Sequence, residues 1–283
     1  MGTVPDIQVL AGRLLDEVAG YGRTLVAFSG GVDSSLVVVA AARALGTHNV
    51  VAATAVSPAV PGEEVSAARE FCRQHAVEHR LIATGEMDVA GYRENGPMRC
   101  YFCKDTLAGA ARAFAGTHGF VTVATGTNAS DVAGGFRPGI RAAARHGVRT
   151  PLADLGFAKD QVRQLARHWG LATWRKPATP CLSSRIAFGV VISTQRLSRV
   201  HRAETAVRAA LAGAGLNDLR VRDLGDEVRL EVDAHLVGPA GADPAVARAV
   251  ADAGFGDARL HVAAFRSGAM NDLLPDAQRW RHA

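Results

Sequence analysis

The chain has 283 residues, 48% of them hydrophobic and 21% charged, which supplies a large core and excludes an intrinsically disordered chain. Four cysteines are too sparse for a disulfide-stapled scaffold, and no apolar run approaches the ~20 residues of a membrane-spanning helix. The formal net charge is +5, and only three of the 32 basic residues are lysines: Lys104, Lys159 and Lys176.

Residues 6–21 carry Ile7, Leu10, Leu14 and Val18 on one helical stripe. An apolar run at 24–28 reads as a strand entering Ser29-Gly30-Gly31, and an Ala/Val-rich helix follows over 34–44. Residues 50–56 read as a second strand closed by Ser57-Pro58. Residues 63–75 read as a helix whose Glu63 and Glu64 suit the positive end of the helix dipole. Strands at 79–83 and 121–125 flank a helix at 105–117, and a further helix at 159–169 stops at Gly170. Strands alternating with helices predict a parallel α/β sheet. Beyond about residue 186 the pattern changes to a helix at 194–214, a β-hairpin of 219–224 and 227–233, a helix at 244–253 and a strand at 258–265. The expected organisation is an α/β domain of residues 1–185 and a smaller α+β domain of residues 186–283 for substrate binding and oligomerisation. The first nine residues hold no basic segment followed by an apolar stretch, so a cytoplasmic protein with free thiols is expected.

Ser29-Gly30-Gly31-Val32-Asp33-Ser34-Ser35, between a strand and a helix, is the most informative stretch. Glycines let the backbone approach an anion, and the helix N-terminus presents free N–H groups and a positive dipole end. Serine hydroxyls add donors, and Asp33 can orient them or share a Mg²⁺. The loop lacks the lysine of GxxxxGK[ST] and does not match GxGxxG, which suits bound pyrophosphate rather than γ-phosphoryl transfer.

On this loop the chain resembles the PP-loop ATP pyrophosphatases, which activate a carbonyl or carboxylate as an adenylate and release pyrophosphate. The resemblance implies a Rossmann-like, adenine nucleotide α-hydrolase-like fold. It implies ATP and Mg²⁺ at Ser29, Gly30, Gly31, Asp33, Ser34 and Ser35. Gly126-Thr127-Asn128-Ala129-Ser130-Asp131 is similar to that family's second nucleotide-site loop, which adds Gly126, Asn128 and Asp131. Thr150-Pro151-Leu152 followed by Lys159, Val162 and Arg163 is similar to its later helix segment.

Two further segments carry chemistry: Arg99-Cys100-Tyr101-Phe102-Cys103-Lys104, and Lys176-Pro177-Ala178-Thr179-Pro180-Cys181-Leu182-Ser183-Ser184-Arg185. A CxxC pair alone is compatible with a redox couple. Three soft thiolates suit an iron–sulfur cluster with one open iron, or zinc with a borrowed fourth ligand. Lys104, Lys176 and Arg185 stand in sequence where they would depress thiol pKa values. Cys72, beside Phe71 in a helix, reads as a buried structural thiol.

The PP-loop, the two cysteine segments and the late Phe265-Arg266-Ser267-Gly268-Ala269-Met270-Asn271-Asp272 together resemble LarE-type sulfur transferases over nearly the whole chain. The resemblance implies a small anionic nucleotide as substrate. ATP adenylates a carboxylate of pyridinium biscarboxylic acid mononucleotide, and a sulfur nucleophile displaces AMP to leave a thiocarboxylate for the nickel-pincer cofactor. In single-cysteine members the protein's own cysteine gives up its sulfur and becomes dehydroalanine; that cysteine stands one place earlier, where this chain has Pro180. The three-cysteine pattern implies a 4Fe–4S cluster on Cys100, Cys103 and Cys181, with sacrifice of the Cys181 sulfur as the other route. By the same resemblance Cys181, Asp33 and Arg185 are the expected catalytic residues, Ser184, Arg185, Glu204, Arg220 and Arg266 surround the substrate, and the protein is a homo-oligomer.

Arg220 and Arg222 alternate on a strand and lie on its outer face if they are surface charges. Arg137, in Phe136-Arg137-Pro138-Gly139, is a further loop arginine. His75-Ala76-Val77-Glu78-His79 has HxxEH spacing, yet a helix end and a strand start leave its imidazoles no shared helical face. A tRNA-thiolating PP-loop enzyme shares the ATP chemistry and thiols. It would bring a zinc-ribbon cysteine set and basic runs, whereas the charges here are interspersed, so no stable nucleic-acid partner is expected. A non-catalytic adenine-nucleotide module or an ammonia-using ligase leaves the thiols without a role.

Overall fold

The elements of the computed structural model, which describes residues 6–133, 137–177, 179–256 and 258–266, are given in chain order. They are α1 (Ile7–Ala19), β1 (Thr24–Ala27), α2 (Val32–Leu45), β2 (Val50–Val56), α3 (Gly62–Gln74), β3 (Glu78–Ala83), α4 (Ala90–Arg93), α5 (Arg99–Thr117) and β4 (Thr122–Thr125). Then follow α6 (Ala129–Ala133), α7 (Pro138–Arg145), α8 (Pro151–Asp154), α9 (Lys159–His168), α10 (Thr194–Ala210), β5 (Leu219–Asp223), β6 (Glu227–Val232), α11 (Val237–Ala242), α12 (Pro244–Val250) and β7 (Arg259–Ala264). Contacts group them into two compact units: Met1–Glu86 with Cys100–Thr179, and Met87–Arg99 with Pro180–Ala283.

The first unit is built on a four-stranded sheet of order β3-β2-β1-β4, parallel throughout. Thr24-Leu25-Val26-Ala27 has the continuous apolar run of a strand covered on both faces, and Leu25 and Val26 are fully buried. One face is covered by Leu10, Leu14 and Val18 of α1, by Leu36 to Val39 of α2, and by Val162 and Leu165 of α9. The other is covered by Ala108, Ala111 and Ala115 of α5 with Phe120 and Val148. The chain adds β2 and β3 on one side of β1 and then returns to place β4 on the other. That reversal opens a crevice at the carboxyl ends of β1 and β4, where open α/β sheets bind ligands.

His75 caps the C-terminus of α3 and His79 lies within β3, so the HxxEH residues share no helix. The Thr54 hydroxyl donates its one proton to the Phe28 carbonyl at 2.8 Å, so its 2.8 Å contact with His79 Nε2 is a bond donated by the imidazole.

The second unit holds a three-stranded sheet of order β5-β6-β7, with β5 antiparallel and β7 parallel to β6. Leu197, Val200, Ala203 and Val207 form the buried stripe of α10. Every residue of β5 is buried, so the outer-face reading of its arginines fails: Arg220 is 9% exposed and Arg222 5%. Polar partners in the fold make that burial possible. At the end of β5, Asp223 is completely buried between Arg196 and Arg199 of α10, with nearest contacts of 2.8 and 2.6 Å.

Two differences from the sequence pattern bear on the site. The helix expected from residue 105 begins at Arg99, which places the whole CxxC inside α5. Residues 87–99 belong to the second unit, an excursion that no composition shift announces.

Candidate active site

At the end of β1 the Phe28 N–H donates to the Ala53 carbonyl at 2.8 Å, and the chain then turns through Ser29, Gly30 and Gly31 into α2. Gly30 has φ +70°, a left-handed conformation that favours glycine. No side chain caps α2, so the N–H groups of its first turn face the loop unclaimed by a cap. The Ser29 and Ser34 hydroxyls stand 3.2 Å apart, and Ser34 Oγ also donates to the Gly31 carbonyl at 3.1 Å. Ser35 Oγ is buried and has no hydrogen-bond partner among the described residues.

The loop after β4 meets this turn directly. A Cβ on Gly126 would lie 2.4 Å from the Ser34 nitrogen, so only glycine fits. Asn128, 1% exposed, donates from Nδ2 to Asp33 Oδ1 at 3.0 Å. It is braced by the Asp131 N–H, which donates to Asn128 Oδ1 at 3.1 Å. Lys159 Nζ holds the other Asp33 oxygen at 2.5 Å. One turn along α9, Arg163 donates to the carbonyls of Trp174 and Lys176 at 2.6 and 3.2 Å. Lys176 Nζ reaches back to Glu64 Oε2 at 2.6 Å and to the Gly30 carbonyl at 3.2 Å. Ser29, Gly30, Gly31, Asp33, Ser34, Ser35, Gly126, Asn128 and Asp131 thus belong to one crevice wall. Lys159, Lys176 and Glu64 join them. Motif reading set Lys159 in the family's later helix segment and Lys176 near Cys181 without naming either for the nucleotide site, where the scarcity of lysine was the available signal. Nothing in the sequence marked Glu64 for that site.

The second unit carries a different kind of loop. Cys181 is exposed and opens a 3₁₀ turn, Leu182–Arg185. Arg185, 2% exposed, donates to the Pro180 and Cys181 carbonyls at 2.5 and 3.3 Å. Arg99 donates to the Ser183 carbonyl at 2.9 Å and Arg222 to that of Ser184 at 3.1 Å. Each guanidinium has a second anchor: Glu204 for Arg185 at 3.0 Å, Glu231 for Arg222 at 2.8 Å, and the Asn95 side-chain oxygen Oδ1 for Arg99 at 2.6 Å. Tyr92 hydroxyl and Ser183 Oγ stand 2.5 Å apart, and Ser184 Oγ donates to the Cys181 carbonyl at 2.8 Å. Arg185 and Glu204 therefore act on the loop that presents Cys181. Lys176 turns to Glu64 and the Gly30 carbonyl, so its described bonds serve the nucleotide loop rather than a thiol.

Arg220 donates to the Leu219 carbonyl at 2.7 Å and lies over the Phe265 ring, 5.3 Å from its centroid. Burial first, then the positive charge of Arg185, lower its guanidinium from the ordinary range, against the opposing charge of Glu204. Arg266 is exposed at the end of the described chain. Ser267 to Asp272, and Phe136 of the other arginine segment, lie outside the described residues. Arg137 is the N-cap residue of α7.

Cys100 is exposed and Cys103 half-buried, one turn apart on α5 and so on the same helical side. Gly139 of α7 packs on this turn, where a Cβ would stand 2.7 Å from Lys104 Cγ and 3.1 Å from the Cys100 carbonyl oxygen. Burial pushes the Cys72 thiol up to about 12, so it stays protonated, as a structural thiol does. Within neither unit do the described residues gather three or more His, Cys, Asp or Glu into a metal-holding group. No helix among the described residues is long and apolar enough to cross a membrane.

A parallel sheet whose glycine loop and second loop meet at a helix N-terminus, at the point where strand order reverses, is the phosphate-binding arrangement of an open α/β fold, and the sequence matches give its class. Residues 21–112 match the asparagine synthase family, a stretch that contains β1, the glycine loop and the CxxC turn. The chain is 38% identical over 255 residues to an uncharacterised protein of Synechocystis sp., with 89% of this chain and 93% of that protein covered. It is 31% identical over 257 residues to the pyridinium-3,5-bisthiocarboxylic acid mononucleotide synthase of Lactiplantibacillus plantarum, covering 90% and 91% of the two chains. An uncharacterised protein of Methanocaldococcus jannaschii matches at 24% over 211 residues, with 75% and 78% covered. The chain belongs to the LarE-type family of ATP-dependent sulfur transferases within the PP-loop superfamily.

Proposed function

We propose that this enzyme adenylates a carboxylate of pyridinium biscarboxylic acid mononucleotide and converts it to a thiocarboxylate for nickel-pincer cofactor synthesis. The reading is supported by the name of the Lactiplantibacillus relative and carried by one observation: a loop suited to pyrophosphate and an exposed, arginine-anchored Cys181 occur in one chain. In the first step a substrate carboxylate oxygen attacks the α-phosphorus of ATP and the bond to the bridging oxygen breaks, releasing pyrophosphate. The N–H groups at the start of α2, with Ser29 and Ser34, take up the charge of the departing pyrophosphate. Asp33 is the carboxylate suited to share a Mg²⁺. In the second step sulfur attacks the acyl carbon and the bond to AMP breaks. Ser184, Arg220 and Arg266 offer the polar and positive groups that a nucleotide with two carboxylates requires.

Two sulfur sources follow from the thiols. In the sacrificial route the Cys181 thiolate forms the acyl–sulfur bond, its Cα proton leaves to a base, and the Cβ–S bond breaks to give thiocarboxylate and dehydroalanine. The other route takes the thiolates of Cys100, Cys103 and Cys181 as the ligands of a cluster, a donor type that iron–sulfur centres use. A 4Fe–4S cluster on these three would supply an open iron able to carry sulfide, sparing the protein. A homo-oligomer is proposed with either route.

Anaerobic iron and sulfide analysis combined with intact mass after turnover separates the routes. Iron-bearing protein of unchanged mass that releases thiocarboxylate supports the cluster. Iron-free active protein that loses the elements of hydrogen sulfide supports sacrifice of Cys181. Absence of AMP, pyrophosphate and thiocarboxylate with this substrate, together with copurifying RNA and a steep salt dependence, would replace the proposal with tRNA thiolation.

A further inference from the structure

We infer that Lys176 is a polyphosphate-binding residue of the ATP site, held by Glu64 until the nucleotide arrives. The inference rests on the ATP dependence of the enzyme and is independent of which acid it activates. The glycine loop contains no lysine of its own, so the charge of a triphosphate must be met from elsewhere. Lys176 stands where that charge is needed. Its ammonium donates to the carbonyl of Gly30, the left-handed residue of the loop, and a Cβ on Gly30 would lie 3.6 Å from it.

Its position is fixed from behind. Arg163 donates to the carbonyls of Trp174 and Lys176, while Val162 of the same helix is fully buried in the core. The partner is a single carboxylate, Glu64 in the first turn of α3, and the two side chains are 24% and 22% exposed, sheltered yet open to exchange. An ammonium has three donors, and the described contacts use two, on Glu64 and Gly30. A triphosphate carries several negative charges where Glu64 carries one, so it competes for the ammonium at short range. Lys159 repeats the device on Asp33 at 2.5 Å. A chain that writes nearly all its positive charge as arginine thus keeps lysine at two loop contacts. A compact ammonium can change partners there over a short reach, which a planar fork does less readily.

The test compares binding of ATP, pyrophosphate and AMP to the full-length enzyme by titration calorimetry, without acid substrate, for the wild type, Lys176→Met, Lys176→Arg and Glu64→Gln. Lys176→Met is expected to weaken ATP and pyrophosphate by about 10- to 100-fold, the equivalent of one charge-assisted hydrogen bond, and to leave AMP within about twofold. Lys176→Arg is expected to recover most of the ATP affinity, and Glu64→Gln to bind ATP as tightly as the wild type or more tightly. A folded Lys176→Met protein with unchanged ATP affinity, or one that loses ATP and AMP equally, overturns the assignment. If Lys176→Met does not fold, Glu64→Gln decides: weakened ATP binding means that the pair is only a structural ion pair. A wild type that binds no ATP would instead refute the functional reading itself.

Discussion

The nucleotide loop and the cysteine loop present their backbones in opposite senses. At Ser29–Ser35 glycines and an uncapped helix turn N–H groups outward, toward an anion. At residues 180–184 four carbonyls are turned onto three buried arginines, and the Cys181 side chain faces out. One loop is left polar and unsatisfied so that a ligand can complete it. The other is satisfied internally so that a single side chain is held ready. The contrast separates a loop built to take up an anion from one built to hold a thiol outward.

The sharpest way to separate the loops is Cys181→Ala. Thiocarboxylate formation is expected to fall by about 1,000-fold or more while ATP–pyrophosphate exchange stays within about twofold; loss of both would merge the two functions. Arg222→Met tests the internal satisfaction of the cysteine loop. It strands Glu231, whose side chain is 2% exposed, and should cost about 3–5 kcal/mol in chemical denaturation, much of it recovered by adding Glu231→Leu. Asp33→Ala should lower ATP–pyrophosphate exchange by about 100- to 1,000-fold and thiocarboxylate formation with it, since both depend on adenylation. Gly126→Ala forces a Cβ to within 2.4 Å of the Ser34 nitrogen and should cost about 1–3 kcal/mol in thermal stability, together with loss of ATP affinity.

The smallest expected effect is a pH slope in the first unit. Burial first, then Arg69, lowers the His79 pKa below its ordinary 6.5. The unfolded chain therefore binds the proton more readily, and stability present above about pH 6.5 is lost as pH falls toward the folded value. Melting temperature measured from about pH 7.5 to 5.5 should decline, and His79→Asn should flatten that decline.

Much of the nucleotide half was legible in the sequence. The apolar runs of β1, β2 and β4 and the glycines between β1 and α2 are local signals, and local physics decides them. Lys176 was visible but misdirected: proximity to Cys181 in sequence suggested thiol chemistry, while Arg163 fixes its backbone so that the ammonium meets Glu64 and Gly30. For Arg220 and Arg222 the sequence left open a surface position beside the substrate role expected of Arg220, because alternation reports only which face a residue takes. It does not report that Glu231 and the Ser184 carbonyl stand within hydrogen-bonding reach of Arg222. The start of α5 was set late because Cys100, Tyr101, Phe102 and Cys103 carry little helix signal, and the bond from Arg99 to Ser183 spans 84 positions.

The excursion of residues 87–99 bears on inheritance. Tyr92, Asn95 and Arg99 reach the 183 and 186–187 backbone and side chains of a unit whose remaining chain begins at residue 180. A recombination event joining two relatives at the 179/180 boundary would import the cysteine loop without the three residues fitted to it. The C-terminal part is therefore not a transferable cassette: donor chimaeras need both pieces, and a fragment starting at residue 180 leaves the Ser183 carbonyl without its arginine.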